Sequence, residues 1–141
     1  SNGYSLINEI IKNKNVDNLL LEKLLTPTTI YVNDILDLKQ VCTINGMAHI
    51  TGGGLNENLS RIANGKTICI DRTKWSMPEI FKEIKKLGNI SEEEMFNVFN
   101  CGIGFCLVLD EINARKAIDK NSKLIEIGYV KNKEDMDFMF I

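Results

Sequence analysis

The residues best suited to chemistry lie in one run, Gly46-Met47-Ala48-His49-Ile50-Thr51-Gly52-Gly53-Gly54-Leu55-Asn56-Glu57-Asn58-Leu59-Ser60-Arg61. Its first part is short and apolar, which predicts a strand over Gly46–Thr51. Alternate side chains of a strand share a face, so Met47, His49 and Thr51 point one way and Ala48 and Ile50 the other. His49, the chain's single histidine, can therefore act together with Thr51. Gly52, Gly53 and Gly54 tolerate positive φ and present bare backbone amides to an oxyanion, and a helix starting just after them adds its free amides and positive dipole end. Asn58 and Arg61, three apart on that helix, are neighbours on one face, and a guanidinium pairs with two phosphate oxygens at once. The chemistry on offer is the binding of a phosphate. A tight turn also needs glycine for its own sake, a lone histidine often only packs, and an arginine on an amphipathic helix is often solvated. Their crowding into one segment is what points to an anion site.

A second segment is Phe99-Asn100-Cys101-Gly102-Ile103-Gly104-Phe105. Gly102 and Gly104 weaken the head of an apolar strand, which predicts that backbone or ligand approaches closely there, or that the strand bulges. Asn100 offers two donors and an acceptor at a helix-to-strand corner, although asparagine is also an ordinary helix cap. Glu92, Glu93 and Glu94 sit in a first helical turn, where the dipole alone accounts for acids. Trp75 and Pro78 read as packing anchors. Neither G-x-x-x-x-G-K-[ST] nor G-x-G-x-x-G occurs, so any ATP is held without the two commonest nucleotide motifs.

The elements that must position these residues follow from periodicity. Leu6, Ile7, Ile10 and Ile11, then Val16, Leu19, Leu20, Leu24 and Leu25, predict two helices broken at Asn13–Asn15, the second stopped by Pro27. Thr29–Val32 should be extended and Asp34–Val41 helical. After the glycine turn, a helix is expected over Leu55–Ala63, a strand over Lys66–Asp71, and a helix from Pro78 to Leu87 with Gly88 as its stop. Ser91 and Glu94 form an S-x-x-E capping box opening a helix through Phe99. Ile103–Leu109 is a strand, Glu111–Lys120 a helix, and Lys123–Val130 and Asp137–Ile141 the last two strands. The interleaving predicts one α+β domain over residues 1–141, layered α/β/α, with helices on the faces of a mixed sheet. Ser1-Asn2-Gly3 follows no element and the last residues fall inside an apolar strand, which predicts a chain that continues beyond both ends.

Composition excludes several classes. Seventeen basic against nineteen acidic residues give a net charge of −2, without the single-sign field that draws a protein onto nucleic acid or anionic lipid. No apolar run approaches the roughly 20 residues that span a bilayer, and no basic-then-apolar leader opens the chain, so a cytoplasmic protein is expected. Cys42, Cys69, Cys101 and Cys106 form no C-x-x-C pair and have one histidine for company, which reads as buried free thiols, with no metal site in these residues.

Four strings, SNGYSLI, LLTPTTIYV, GMAHITGGGLNENLSRI and LGNISEEEMFNVFNCGIGFCLVL, together resemble the carboxy-terminal domain of the phosphoribosylformylglycinamidine cyclo-ligase (aminoimidazole ribonucleotide synthetase) family, in its order and at about its spacing, from Ser1 to about Gly128. The resemblance implies that fold and an ATP-dependent ring closure in purine biosynthesis, converting formylglycinamidine ribonucleotide to aminoimidazole ribonucleotide. It implies that ATP and Mg2+ are bound mainly by an amino-terminal domain that nothing here matches, that the complete enzyme is a homodimer, and that this domain alone is inactive. By the same resemblance Ser1, Asn2 and Gly3 lie near the substrate, and His49, Thr51, Gly52, Gly53, Gly54, Asn58 and Arg61 form the wall facing it, with His49 positioning the substrate. Asn100, Gly102 and Gly104 complete the expected site. Thiamine-monophosphate kinase, selenophosphate synthetase and a hydrogenase maturation protein are similar in fold, so a domain of one of these, or a non-catalytic binding module, is the alternative. Two departures stand out: Cys101 replaces the methionine of the family's FNMGIG string, and the end after Gly128 is shorter or more divergent.

Overall fold

The structure, a computed structural model, describes residues 2–141. Its helices are α1 (Tyr4–Asn13), α2 (Asn18–Leu24), α3 (Val32–Lys39), α4 (Gly54–Ser60), α5 (Glu79–Gly88), α6 (Glu92–Val98) and α7 (Glu111–Lys120). Its strands are β1 (Gly46–His49), β2 (Lys66–Ile70), β3 (Phe105–Val108), β4 (Gly128–Asn132) and β5 (Phe138–Phe140), with one 3-10 turn at Arg72–Lys74. The fold is α+β.

Helix starts are fixed by local chemistry. The side chains of Asp17, Ser91 and Asp110 accept the backbone amides of Leu20, Glu94 and Asn113 at 2.8, 3.1 and 2.8 Å, each satisfying a donor that the first helical turn leaves over. Helix α5 ends differently from expectation. Gly88 is its last helical residue, and the left-handed cap is Asn89, at φ 48°. A Cβ on Gly88 would lie 2.6 Å from Ile10 Cδ1, so the glycine is there to let α1 pack on α5.

The mixed sheet is three-stranded, ordered β4-β2-β5, with β2 antiparallel to β4 and parallel to β5. Strands β1 and β3 form a separate antiparallel pair, Gly46 opposite Val108 through His49 opposite Phe105. The strand expected over Lys123–Val130 begins only at Gly128: Lys123 N–H is turned back onto Asn121 Oδ1 at 3.1 Å, and pairing starts where Ile70 meets Gly128. The divergent end is held by buried Thr67, whose hydroxyl donates to Met136 O at 2.6 Å and accepts from Glu134 N at 3.0 Å.

The inward face of the β1–β3 pair carries Ala48, Ile50 and Cys106 into the main core with Leu55, Leu59, Met95, Phe96 and Phe99. Leu107, on the other face, joins a smaller core formed by Leu38 of α3, Cys42 and Ala117 of α7. The pair is thereby sandwiched between two helical layers, which fixes where its open end presents His49.

Candidate functional site

Strand β1 alternates as its sequence requires: Met47 and His49 are exposed, Ala48 and Ile50 buried. The ladder continues one step, with Ile50 N donating to Gly104 O at 2.9 Å, before the chain enters the glycine turn. The three glycines differ. Gly52 has ordinary φ and open space around its Cα, whereas Gly53 and Gly54 sit at φ 87° and 59°. Of the three that could take positive φ, only these two do. The Gly54 amide is already used, donating to Thr51 O at 3.1 Å, while those of Gly52 and Gly53 make no hydrogen bond among the described residues. A Cβ on Gly54 would fall 1.8 Å from the carbonyl oxygen of Phe96, so the turn is wedged against α6.

Asn58 is turned into the protein. It is 6% exposed, and its side-chain amide donates to Gly52 O at 3.1 Å and Gly54 O at 2.7 Å, fastening the glycine turn from beneath. Arg61 is its neighbour, as the spacing predicts, but the guanidinium is taken by Glu57, one helical turn back. The Glu57 carboxylate in turn lies over Gly53, where an added Cβ would stand 1.8 Å from its Oε2. Both partners are more than half exposed, so the pair holds little energy and can open.

The second corner is a turn built from Asn100. Its side-chain oxygen accepts Gly102 N at 3.0 Å and its carbonyl accepts Ile103 N at 3.0 Å. Close approach by backbone or ligand, or a bulge, was expected at these glycines, and protein side chains do come close to both. A Cβ on Gly102 would lie 2.7 Å from Pro78 Cδ, and one on Gly104 would lie 1.9 Å from the Tyr31 hydroxyl. Trp75 closes the same corner, its indole N–H donating to Cys101 O at 3.1 Å. Glu92 forms ion pairs with Arg72 and Lys85 at 3.2 and 3.3 Å, which accounts for it without catalysis.

Ser1 lies outside the described residues. Asn2 donates its side-chain amide to Val98 O, and Gly3, at φ 76°, lies so close under Phe99 that a Cβ would meet the ring at 2.2 Å. The carboxy-terminal end of α6 is thus the meeting point: Asn2 and Gly3 rest on Val98 and Phe99, and Gly54 on Phe96 and Phe99. Beside it opens a depression of about 630 Å³, lined by Gly53, Asn56, Glu57, Ser60, Arg61 and Asn97. Asn56 and Ser60 are additions to the expected set, and their three- and four-residue steps from Gly53 along α4 could have found them. Asn97 comes from α6, and no local pattern announces it.

All four cysteines are free and buried. Burial pushes the Cys101 thiol up to about 12, with help from the Glu92 charge, and pushes Cys106 to about 12 as well. A thiol raised in the folded state contributes stability that is complete below the unfolded value near 8.5 and is lost as pH climbs through the folded one. The chain should therefore resist thiol alkylation at pH 8 until urea unfolds it, and its urea midpoint should fall progressively from pH 9 upward. Rapid modification of the native protein at pH 8 would contradict this.

Among the described residues no three His, Cys, Asp or Glu side chains gather where a metal ion could bind. These residues do not fit a resident Mg2+. No helix is long and apolar enough to cross a membrane among the described residues.

Fold and surface define an α+β domain with a glycine-turn wall and a small polar depression, distinct from a P-loop or dinucleotide-binding domain. Residues 1–140 match the family model described as AIR synthase related protein, C-terminal domain. Phosphoribosylformylglycinamidine cyclo-ligases of Geotalea daltonii and Clostridium perfringens are each 45% identical over 92% of this chain, which covers 40% and 41% of their own lengths. The enzyme of that name from Clostridium kluyveri is 45% identical over 95% of the chain and 43% of its own length. The chain belongs to the AIR synthase related protein family as its C-terminal domain. It spans about two fifths of the length of the curated relatives it matches.

Proposed function

We propose that this chain is the carboxy-terminal domain of a phosphoribosylformylglycinamidine cyclo-ligase, which closes the imidazole ring of aminoimidazole ribonucleotide from formylglycinamidine ribonucleotide and ATP. The observation that carries the proposal is the convergence of three separate strings, Asn2-Gly3, the glycine turn and the end of α6, which pack against one another. Bound ATP would supply the phosphoryl group that makes the formyl oxygen a good leaving group. ATP and its Mg2+ are held mainly by the part of the enzyme this chain does not match. A cytoplasmic homodimer is the assembly proposed for the complete enzyme.

The role of this domain is to hold one phosphate and orient the rest. The Gly52 and Gly53 amides donate to the phosphate oxygens, and Arg61 leaves Glu57 to pair with them. His49, exposed at the end of β1, contacts the substrate and positions it. Asn58 acts through the turn, holding the glycine carbonyls so that the amides stay outward. Because Glu57 places a carboxylate over Gly53 and restrains Arg61, Glu57→Gln should bind inorganic phosphate about fivefold more tightly, as expected from removing a like charge worth about 1 kcal/mol near the surface. Calorimetry checks this, and weaker binding by the variant would count against the site.

Joining this chain to the portion of the Clostridium perfringens relative that it does not match tests the function. ADP release should depend on formylglycinamidine ribonucleotide, and the chain alone should show none. A folded chimera that ignores this substrate, or turnover by the isolated chain, would overturn the proposal.

A further inference from the structure

Three rings gather at the open end of the β1–β3 pair. His49 and Phe105 lie opposite each other across the strands with centroids 6.0 Å apart and planes 24° apart. Tyr31, at the start of α3, stands across both, 5.9 Å from His49 and 5.3 Å from Phe105. The other aromatic pairs, such as Phe81 with Phe99 and Phe96 with Phe140, belong to the main core, whereas His49 is exposed and Tyr31 and Phe105 are half-buried. The Tyr31 hydroxyl sits where a Cβ of Gly104 would be, so the bare glycine is what admits this ring to the group. Neither the phenol nor the imidazole forms a hydrogen bond to another described residue, so both polar edges are available to something outside the chain.

We propose that Tyr31, His49 and Phe105 form a shelf on which the heteroaromatic ring of a ribonucleotide stacks, the ring that closure creates in the product, its polar edge meeting the Tyr31 hydroxyl or the His49 imidazole. Aromatic faces hold such rings by stacking, and the nearby hydrogen-bonding edges supply orientation. The ribonucleotide part rests on the reading of the glycine turn as a phosphate site. Gly52 follows His49 by three residues, a reach of roughly 10 Å in extended chain, comparable with the span from a base across its ribose to the 5′-phosphate. Tyr31 enters as a binding residue that the strand and turn motifs do not indicate, and Gly104 as the gap that makes room for it.

The single histidine makes the test direct, because its imidazole signals in an NMR spectrum have one source. Adenosine 5′-monophosphate should shift the His49 ring signals saturably and bind about tenfold more tightly than ribose 5-phosphate, within the range of one lost or gained base stack. Tyr31→Ala should remove that advantage without weakening ribose 5-phosphate. Gly104→Ala, which displaces the Tyr31 ring with little change to the backbone, should do the same and serves if Tyr31→Ala fails to fold. Equal binding of the two ligands with unmoved His49 signals would overturn the shelf. Adenosine separates the two readings: a His49 shift with adenosine, together with unmoved Gly52 and Gly53 amides under ribose 5-phosphate, would keep the shelf and remove the phosphate site.

Discussion

Gly54→Ala is expected to lower stability by about 3 kcal/mol or more, while Gly52→Ala, two residues away, changes it by no more than about 0.5 kcal/mol. The difference comes from position rather than composition. Gly54 is at φ 59°, where an L side chain is strained, and its added methyl would press on the Phe96 carbonyl at 1.8 Å, a backbone atom that cannot turn aside. Gly52 has open space and ordinary φ. Gly53→Ala should fall between them, since its φ of 87° is strained and Glu57 Cβ would lie 2.6 Å from the added methyl, but the nearest atom, Glu57 Oε2, ends an exposed side chain that can turn aside. Against a typical domain stability of about 5–15 kcal/mol, the Gly54 change removes a large share. Urea midpoints of the three variants check the order, and equal midpoints for Gly52→Ala and Gly54→Ala would show that the wedge against α6 is not real.

Asn58→Ala should cost about 2–3 kcal/mol, because it deletes the two hydrogen bonds that fasten the glycine turn from inside the fold. Asn58→Asp should be worse than alanine at neutral pH. It replaces the donating amide with a carboxylate aimed at two carbonyl oxygens, in a site only 6% exposed. The same variants should weaken phosphate binding beyond what their stability loss explains, since the turn they release is the one that carries the free amides. Thermal melts and phosphate calorimetry on the folded fraction separate the two effects. An aspartate variant more stable than the alanine one would contradict the hydrogen-bond assignment.

Much of the fold was readable because its signals are local. The Ser91 cap, the stop before Pro27 and both ends of α7 depend on residues within four positions of one another. What the sequence concealed depends on partners far along the chain. Gly88 looked like a helix stop because glycine commonly is one, yet it is the last helical residue and is crowded by Ile10 as well as by nearby Ile90. Gly102 and Gly104 signalled a close approach without naming what approaches, and the neighbours there are Pro78 and Tyr31, neither near in sequence. The division of the strands into two sheets is likewise a matter of pairing, which alternation cannot reveal. In the candidate site the residues around the glycine turn were legible as a group, and their individual duties were not. Asn58 and Arg61 share a face as spacing requires, but one holds the turn and the other pairs with Glu57. That ion pair was itself legible as an i,i+4 spacing; reading Arg61 for an anion passed over it.

The unbonded amides of the glycine turn are proposed to receive a phosphate. Titrating the isotopically labelled chain with inorganic phosphate, and following its amide signals, tests this most directly. The Gly52 and Gly53 amides should move saturably while that of Gly54, bonded to Thr51, stays nearly still, and Arg61→Ala should weaken the response. Uniform drift across the surface, or no movement at Gly52 and Gly53 at saturating phosphate, would contradict the account.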